Sequence, residues 1–280
     1  MVIETYQNKN LAYYIKLILG LVEFILLNGF HWKKDELIVL NLHSTPKKLQ
    51  DNFDIHLRFL QKNFNIINPS VLLDHKPIVN NSKKPSLLLT FDDGLKNNLY
   101  AVETLKKYNL QALFFIVPKF VESSLKKDGR QYYLDNIRPV VNPKFDHESE
   151  DFESVSWDEI KELVDAGNSI GSHTMSHLLS ADMLEAELQY EIVESKKHIE
   201  EKTGFKAVSF CSPNNTVLSV SSEAEKIIDT NYKFHFTTYH GSNSTKKIPR
   251  KIKRINIESF WDLGVVKFAL GRIQNRRIGV

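Results

Sequence analysis

The sequence predicts an α/β fold of mostly parallel strands behind an N-terminal amphipathic helix, and three observations lead there. Ser86-Leu-Leu-Leu-Thr-Phe91 and Ala112-Leu-Phe-Phe-Ile-Val117 are short, nearly all-apolar runs, as expected of strands buried on both faces. Helical periodicity fills residues 95–108 between them, and a β-α-β unit of that spacing implies parallel strands with a right-handed crossover. The alternation then continues, with strand signals near 169–171, 207–211 and 233–238 and helical stretches at 156–166, 180–202 and 221–230. A parallel sheet or a barrel satisfies this pattern; a sandwich does not.

The remaining elements follow in chain order. Residues 11–32 are apolar, but Lys16 and Glu23 interrupt them, so no uncharged stretch reaches the roughly 20 residues of a spanning helix. No basic leader or small-residue cleavage site accompanies them, so a signal peptide is not expected. They read as an amphipathic helix packed on the domain. A helix lying in the membrane interface, giving peripheral contact through residues 11–32, is the alternative, and a true anchor is the third reading. Glu36–Asn41 is a β-branched apolar run, hence a buried strand, and it ends in a turn at His43. Phe53, Leu57 and Leu60 recur at helical spacing within 50–63, while the polar, proline-flanked 74–86 reads as a surface loop. Residues 119–155 carry mixed charges, Pro139 and Pro143 and little periodicity, the pattern of a long excursion over the sheet. Residues 258–280 read as an amphipathic surface helix with a solvated tail, or as a contact between Arg272, Arg276, Arg277 and anionic lipid. The expected organisation is a helical segment, 1–35, and one domain, 36–280.

Composition narrows the function. With 280 residues, 42% hydrophobic and 25% charged, the chain has the makeup of a folded protein with a sizeable core. A net charge of +3 makes no case for nucleic acid. The single cysteine, Cys211, excludes an intramolecular disulfide framework and a Cys-rich zinc module. It fits a reducing compartment, so a cytoplasmic location, with any peripheral contact on the inner face of the membrane, is the expectation.

Thr90-Phe91-Asp92-Asp93-Gly94 places two carboxylates at the C-terminal end of an apolar strand, where α/β proteins build active sites. Taken alone, they read first as helix N-caps. Gly171-Ser-His173-Thr-Met-Ser-His177 adds two imidazoles which, on a helical turn, share one face and reach one ion. One carboxylate, two imidazoles and an open fourth position describe a catalytic metal site rather than a closed structural one.

Thr-Phe-Asp-Asp-Gly followed by His-Thr-x-x-His resembles the polysaccharide deacetylases, carbohydrate esterase family 4, over roughly residues 36–260. The resemblance implies a distorted (β/α) barrel that removes an N-acetyl group from an amino sugar of a cell-surface polysaccharide or its lipid-linked precursor. It makes Asp92 the general base, and Asp93, His173 and His177 the ligands of one divalent metal, with zinc favoured over nickel, cobalt or iron. Two departures stand out. Where the family's third motif commonly reads Arg-x-Pro-Tyr, this chain has Cys211-Ser212-Pro213-Asn214. Asn214 still offers a backbone N–H to an oxyanion, and Arg254 is a candidate to stand in for the lost arginine; otherwise it is one of the solvated cations of the run 246–254. A C-terminal Leu-Leu-His-Asp motif is missing too, while Leu37-Ile-Val-Leu-Asn-Leu-His43 appears early. That order resembles the circularly permuted poly-N-acetylglucosamine deacetylases and makes His43 the general acid, a capped structural histidine being the alternative.

His56, His75, His147 and His198 read as surface residues, His235 and His240 flank a strand where either could line the site, and Trp157 reads as a core residue at a helix start. The alternatives to an N-deacetylase are a deformylase or amidase on another N-acyl substrate, and a non-catalytic glycan-binding relative.

Overall fold

In the computed structural model, which describes residues 9–26, 32–74, 78, 83–138, 152–213 and 220–275, the parallel strands close into a barrel. They run β1 (Glu36–Leu42), β3 (Ser86–Phe91), β4 (Leu113–Ile116), β5 (Ser169–Ser172), β6 (Ser209–Cys211), β7 (Phe234–His240) and β9 (Lys251–Asn256). Each is parallel to its neighbour, and β1 closes the ring by pairing with both β3 and β9. The short β2 (Asn65–Ile66) lies beside β3, and β8 (Asn243–Ser244) pairs antiparallel with β1.

The two-residue period of the strands divides the core into two layers. Ile38, Leu40, Leu42, Leu87, Leu89 and Phe91 pack outward with Phe53, Leu57 and Leu60 of α2 (Gln50–Asn63), alongside the outer helices. Leu37, Val39, Leu88, Phe115, Phe236 and Ile252 fill the interior. Truncating such a residue, Leu88→Ala for example, costs about 2–5 kcal/mol.

The other helices are α1 (Leu11–Leu26), α3 (Pro69–Leu73), α4 (Asn98–Lys107), α5 (Pro118–Leu125), α6 (Gly129–Tyr132) and α7 (Trp157–Asp165). They continue with α8 (Glu185–Leu188), α9 (Ser195–Thr203), α10 (Ser222–Asn231) and α11 (Leu263–Asn275). Ser156 and Glu159 form a capping box that starts α7 and seats Trp157 in the core. Helix α1 lies against α11 in the same direction: Tyr13 meets Asp262, and a Cβ on Gly20 would stand 2.0 Å from the Gly264 carbonyl oxygen. Only glycine permits that approach.

Two expectations change here. Residues 118–137 are helical rather than irregular: Pro118 opens α5, and a π-helical turn, Tyr133–Ile137, follows α6. Each piece buries only one to three residues, among them Phe120, Val121, Tyr133 and Ile137, too few to set a sequence period. The stretch expected to be helical from 180 begins at Glu185 and passes through a π-helical stretch, Gln189–Glu194. The charged remainder of the excursion, 139–151, and most of the loop 74–86 lie outside the described residues.

Candidate active site

Inward-facing Leu88 and Thr90 are followed, at the open end of the barrel, by Asp92, whose N–H extends the ladder to the Leu42 carbonyl at 2.9 Å. The chain then turns through left-handed backbone at Asp93 (φ 72°) and Gly94 (φ 69°). Such a conformation in a non-glycine residue is uncommon and concentrates at functional sites. Neither aspartate caps α4, whose N-cap is Asn97, so the helix-cap reading falls away.

Asp93 is the centre of a buried group. Its Oδ1 lies 3.4 Å from His173 Nε2 and 3.4 Å from His177 Nε2. The histidines do not share a helical turn, as their spacing suggested. His173 follows β5 directly, and the next residues form an irregular loop with left-handed backbone at Thr174 (φ 65°) and His177 (φ 67°). Glu191 pins this loop by accepting from Ser176 N at 2.8 Å and Ser176 Oγ at 2.6 Å.

The group fits a metal ion. His173 Nδ1 donates to the Cys211 carbonyl and His177 Nδ1 to the Asn136 carbonyl, both at 2.8 Å. A carbonyl only accepts, so each ring carries its proton on Nδ1 and turns the Nε2 lone pair toward Asp93. Ligands about 2.0–2.1 Å from a tetrahedral ion are about 3.3–3.4 Å from one another, which matches this spacing. Burial opposes ionisation of Asp93, and hydrogen bonds from His173 and His177, made when their Nε2 atoms carry a proton that a cation would replace, outweigh it and hold the carboxyl well below its usual range. A second set, Asp92, His173 and Cys211, also lies close enough to share an ion. Arg254 already occupies the Asp92 carboxylate and places a positive charge there, so the Asp93 set is the better site.

Arg254 is fully buried inside the barrel. Its Nη1 and Nη2 donate to Asp92 Oδ1 and Oδ2 at 2.7 and 2.9 Å, and its Nε donates to the Thr237 carbonyl at 3.0 Å. Thr237 lies in a register shift of β7, where a bulge re-aims the backbone. Burial opposes ionisation of Asp92, and Arg254 followed by His173 overcomes it, so its pKa is lowered. Cys211, in the position of the family's arginine, accepts from Arg254 Nη2 at 3.0 Å and stands 3.9 Å from Asp92 Oδ1. A cation from β9 thus reaches Asp92 past the residue at which the third motif lacks one. The reading of Arg254 as a solvated surface cation does not hold.

His43, after β1, faces Asp92 from the other side: its Nε2 is 3.9 Å from Asp92 Oδ2. Its Nδ1 lies 3.4 Å from Glu258 Oε1, without a hydrogen bond between them. Sequence reasoning missed Glu258; its one signal was its place just beyond the C-terminal end of β9. It also missed Arg138, which ends the π-helical turn over the site. Burial opposes charge on Arg138, but Glu258, Tyr133, Asp93 and Asp92 lie near enough to outweigh it and raise its pKa.

Pro213 is buried beside the site, and Asn214 lies outside the described residues. His56 is a correction: it is fully buried, its Nε2 donating to the Trp261 carbonyl at 2.8 Å. His235 is buried within β7, 2.5 Å from Ser212 Oγ, and burial pushes its pKa down to about 4. His198 is half-buried against Glu122 and Trp157. His75 and His147 lie outside the described residues.

The profile of the family described as Polysaccharide deacetylase matches residues 79–235, more than half of the chain. The chain belongs to the polysaccharide deacetylase family. Within it, YxkH of Bacillus subtilis (strain 168) is 28% identical over 157 residues, 54% of this chain and 44% of that protein. The match therefore spans less than half the length of that relative. Among solved polysaccharide-deacetylase-type folds, Streptococcus pyogenes deacetylase PplD in complex with acetate superposes with a TM-score of 0.62 at 18% identity, covering 84% of this chain and 97% of that one. IcaB from Ammonifex degensii gives 0.61 at 19% identity, covering 85% and 98%. At these identities the likeness establishes the shared fold.

Proposed function

We propose that this chain hydrolyses the N-acetyl amide of an amino sugar in a cell-surface polysaccharide, or in a lipid-linked precursor of one, with one divalent metal ion, zinc. Family membership supports the reaction class. The observation that carries the reading is a buried carboxylate, Asp92, clamped by Arg254 between the Asp93–His173–His177 group on one side and His43 on the other. Three ligands of this kind with an open position suit zinc.

A divalent ion held there supplies Lewis-acid polarisation of the amide carbonyl and acidifies the attacking water. The chain's own groups handle the protons. Asp92, kept ionised and oriented by Arg254, removes a proton as the water oxygen bonds to the carbonyl carbon. His43 delivers a proton to the amide nitrogen as the C–N bond breaks, releasing acetate and a free amino sugar. Glu258 keeps the His43 ring turned toward the cleft, and Arg138 adds a positive charge along its wall. The family resemblance makes the Asn214 backbone N–H the expected donor to the developing oxyanion.

The test is acetate release from oligomers of N-acetylglucosamine by the full chain, before and after chelation and on restoring zinc. Acetate that disappears with the metal and returns with it supports the reading. A metal-loaded chain that releases none from any N-acetylated amino sugar refutes it, and formate released from an N-formyl sugar alone would mark a deformylase.

A further inference from the structure

The groups given protons to move or to orient stand just past three strand ends: Asp92 after β3, His43 after β1 and Glu258 after β9. Because β1 lies between β3 and β9, these ends are neighbours. The ladder ends where the turns begin, with Asp92 N donating to the Leu42 carbonyl at 2.9 Å and Ile257 N to the Asn41 carbonyl at 3.0 Å. Beyond those bonds each chain leaves the sheet. The separation of His43 from Asp92 is then set by contacts between the turns themselves.

Asn97 and Ser44 make those contacts. Asn97 Nδ2 donates to Ser44 Oγ at 2.8 Å, and Asn97 Oδ1 accepts from the Thr45 N–H at 3.1 Å. Thr45 Oγ1 donates to Asn98 Oδ1 at 2.8 Å, with the Asn97 carbonyl at 3.3 Å. From the other direction, Ser259 Oγ donates to the Ser44 carbonyl at 2.7 Å. Ser44, the residue after His43, is therefore held by its hydroxyl to the Asp92 turn and by its carbonyl to the Glu258 turn. Thr45, Asn97, Asn98 and Ser259 are each at most 3% exposed, so water does not compete for these bonds. Asn97 is also the N-cap of α4, a position where asparagine ordinarily accepts from its own helix. Here its side chain makes no capping bond, and its carboxamide serves the neighbouring turn instead.

We propose that Asn97, acting through Ser44, is a positioning residue that sets the separation of acid and base, holding His43 Nε2 3.9 Å from Asp92 Oδ2. The inference rests on the proposed roles of those two groups. The base serves the water that attacks the carbonyl carbon, and the acid must reach the nitrogen leaving that same carbon. A displacement of about 1 Å in either group costs on the order of 10²-fold in rate.

Steady-state kinetics of the zinc-loaded full chain on N-acetylglucosamine oligomers, with zinc content and thermal midpoint read alongside, tests this. Asn97→Ala is expected to lower kcat by about 10–100-fold, with KM and bound zinc close to parental. Ser44→Ala should lower kcat by about tenfold, and Ser44→Thr, which keeps the hydroxyl, should recover most of the loss. In a His43→Gln background, Asn97→Ala should cost less than about twofold, because the group it places is gone. Ser44 is half-buried, so Ser44→Ala carries the test should Asn97→Ala fail to fold. The proposal is overturned if His43→Gln is slow while folded Asn97→Ala and Ser44→Ala turn over like the parent. Zinc lost in parallel with turnover, or an undiminished cost of Asn97→Ala without His43, overturns it too. A His43→Gln variant as fast as the parent would remove the acid itself, and this role for Asn97 with it.

Discussion

Arg254 and Asp92 face each other through two parallel hydrogen bonds of 2.7 and 2.9 Å across 162 residues of chain, both fully sequestered inside the barrel. Removing one member of such a pair strands the other charge at a cost of about 3–5 kcal/mol. Arg254→Gln is therefore expected to lower the thermal midpoint and to raise the Asp92 pKa, moving the acid limb of the kcat/KM profile to higher pH. Arg254→Lys keeps a charge without the two-pronged geometry. It should fold and bind metal while losing about 10–100-fold in kcat. Near-parental turnover by the lysine variant would show that Asp92 needs no such clamp.

Metal and base are separable. His173→Ala and His177→Ala should each reduce bound metal well below one equivalent, read by elemental analysis of the dialysed chain. Asp92→Asn should retain the metal and lose about 10²–10⁴-fold in turnover. An asparagine variant that lost the metal in parallel would move Asp92 from base to ligand.

In the proposed reaction Glu258 acts only through His43, so its removal should matter only while His43 is present. Glu258→Gln is expected to lower kcat by about tenfold with little change in KM, and to add almost nothing in a His43→Gln background. Additive losses from the two substitutions would separate their roles.

His56 provides a pH dependence remote from the cleft. Burial lowers its pKa from 6.5 to about 4, so below pH 6.5 the unfolded chain binds more protons than the folded one. Stability from this residue is complete above pH 6.5 and declines as the pH falls toward 4. The loss is on the order of 3 kcal/mol across that window. Urea unfolding of the parent and His56→Gln at pH 7.5 and 4.5 reads it: the parent should lose more than the variant. Equal losses would place the proton elsewhere.

What the sequence made legible was local. Five consecutive residues, Thr90–Gly94, carry both a strand end and two carboxylates, and the His173–His177 spacing carries two imidazoles. What it hid depends on distant partners. His56 looked solvated because the carbonyl it meets, that of Trp261, is 205 residues away. Nothing in Thr174 or His177 announces left-handed backbone, so the loop resembled a helical turn. Glu258 and Arg138 sit in segments without periodicity, and only closure of the barrel brings them over the site. Arg254 was recognisable as a candidate because a missing positive charge in the third motif asked for another.

The ring closure also bears on how the protein must be made. The family-matched segment, 79–235, contains Asp92, Asp93, His173 and His177 but neither β1 nor β9, which lie on either side of it in the chain. A growing polypeptide can lay down every proposed metal ligand while β1 and β7 still lack the strand that joins them and Asp92 lacks Arg254. The last strand, with Arg254, shuts the sheet and neutralises the carboxylate in one event. Assembly of the site is thereby tied to the arrival of β9, and a product truncated before residue 250 would be left with unsatisfied strands prone to edge-to-edge association.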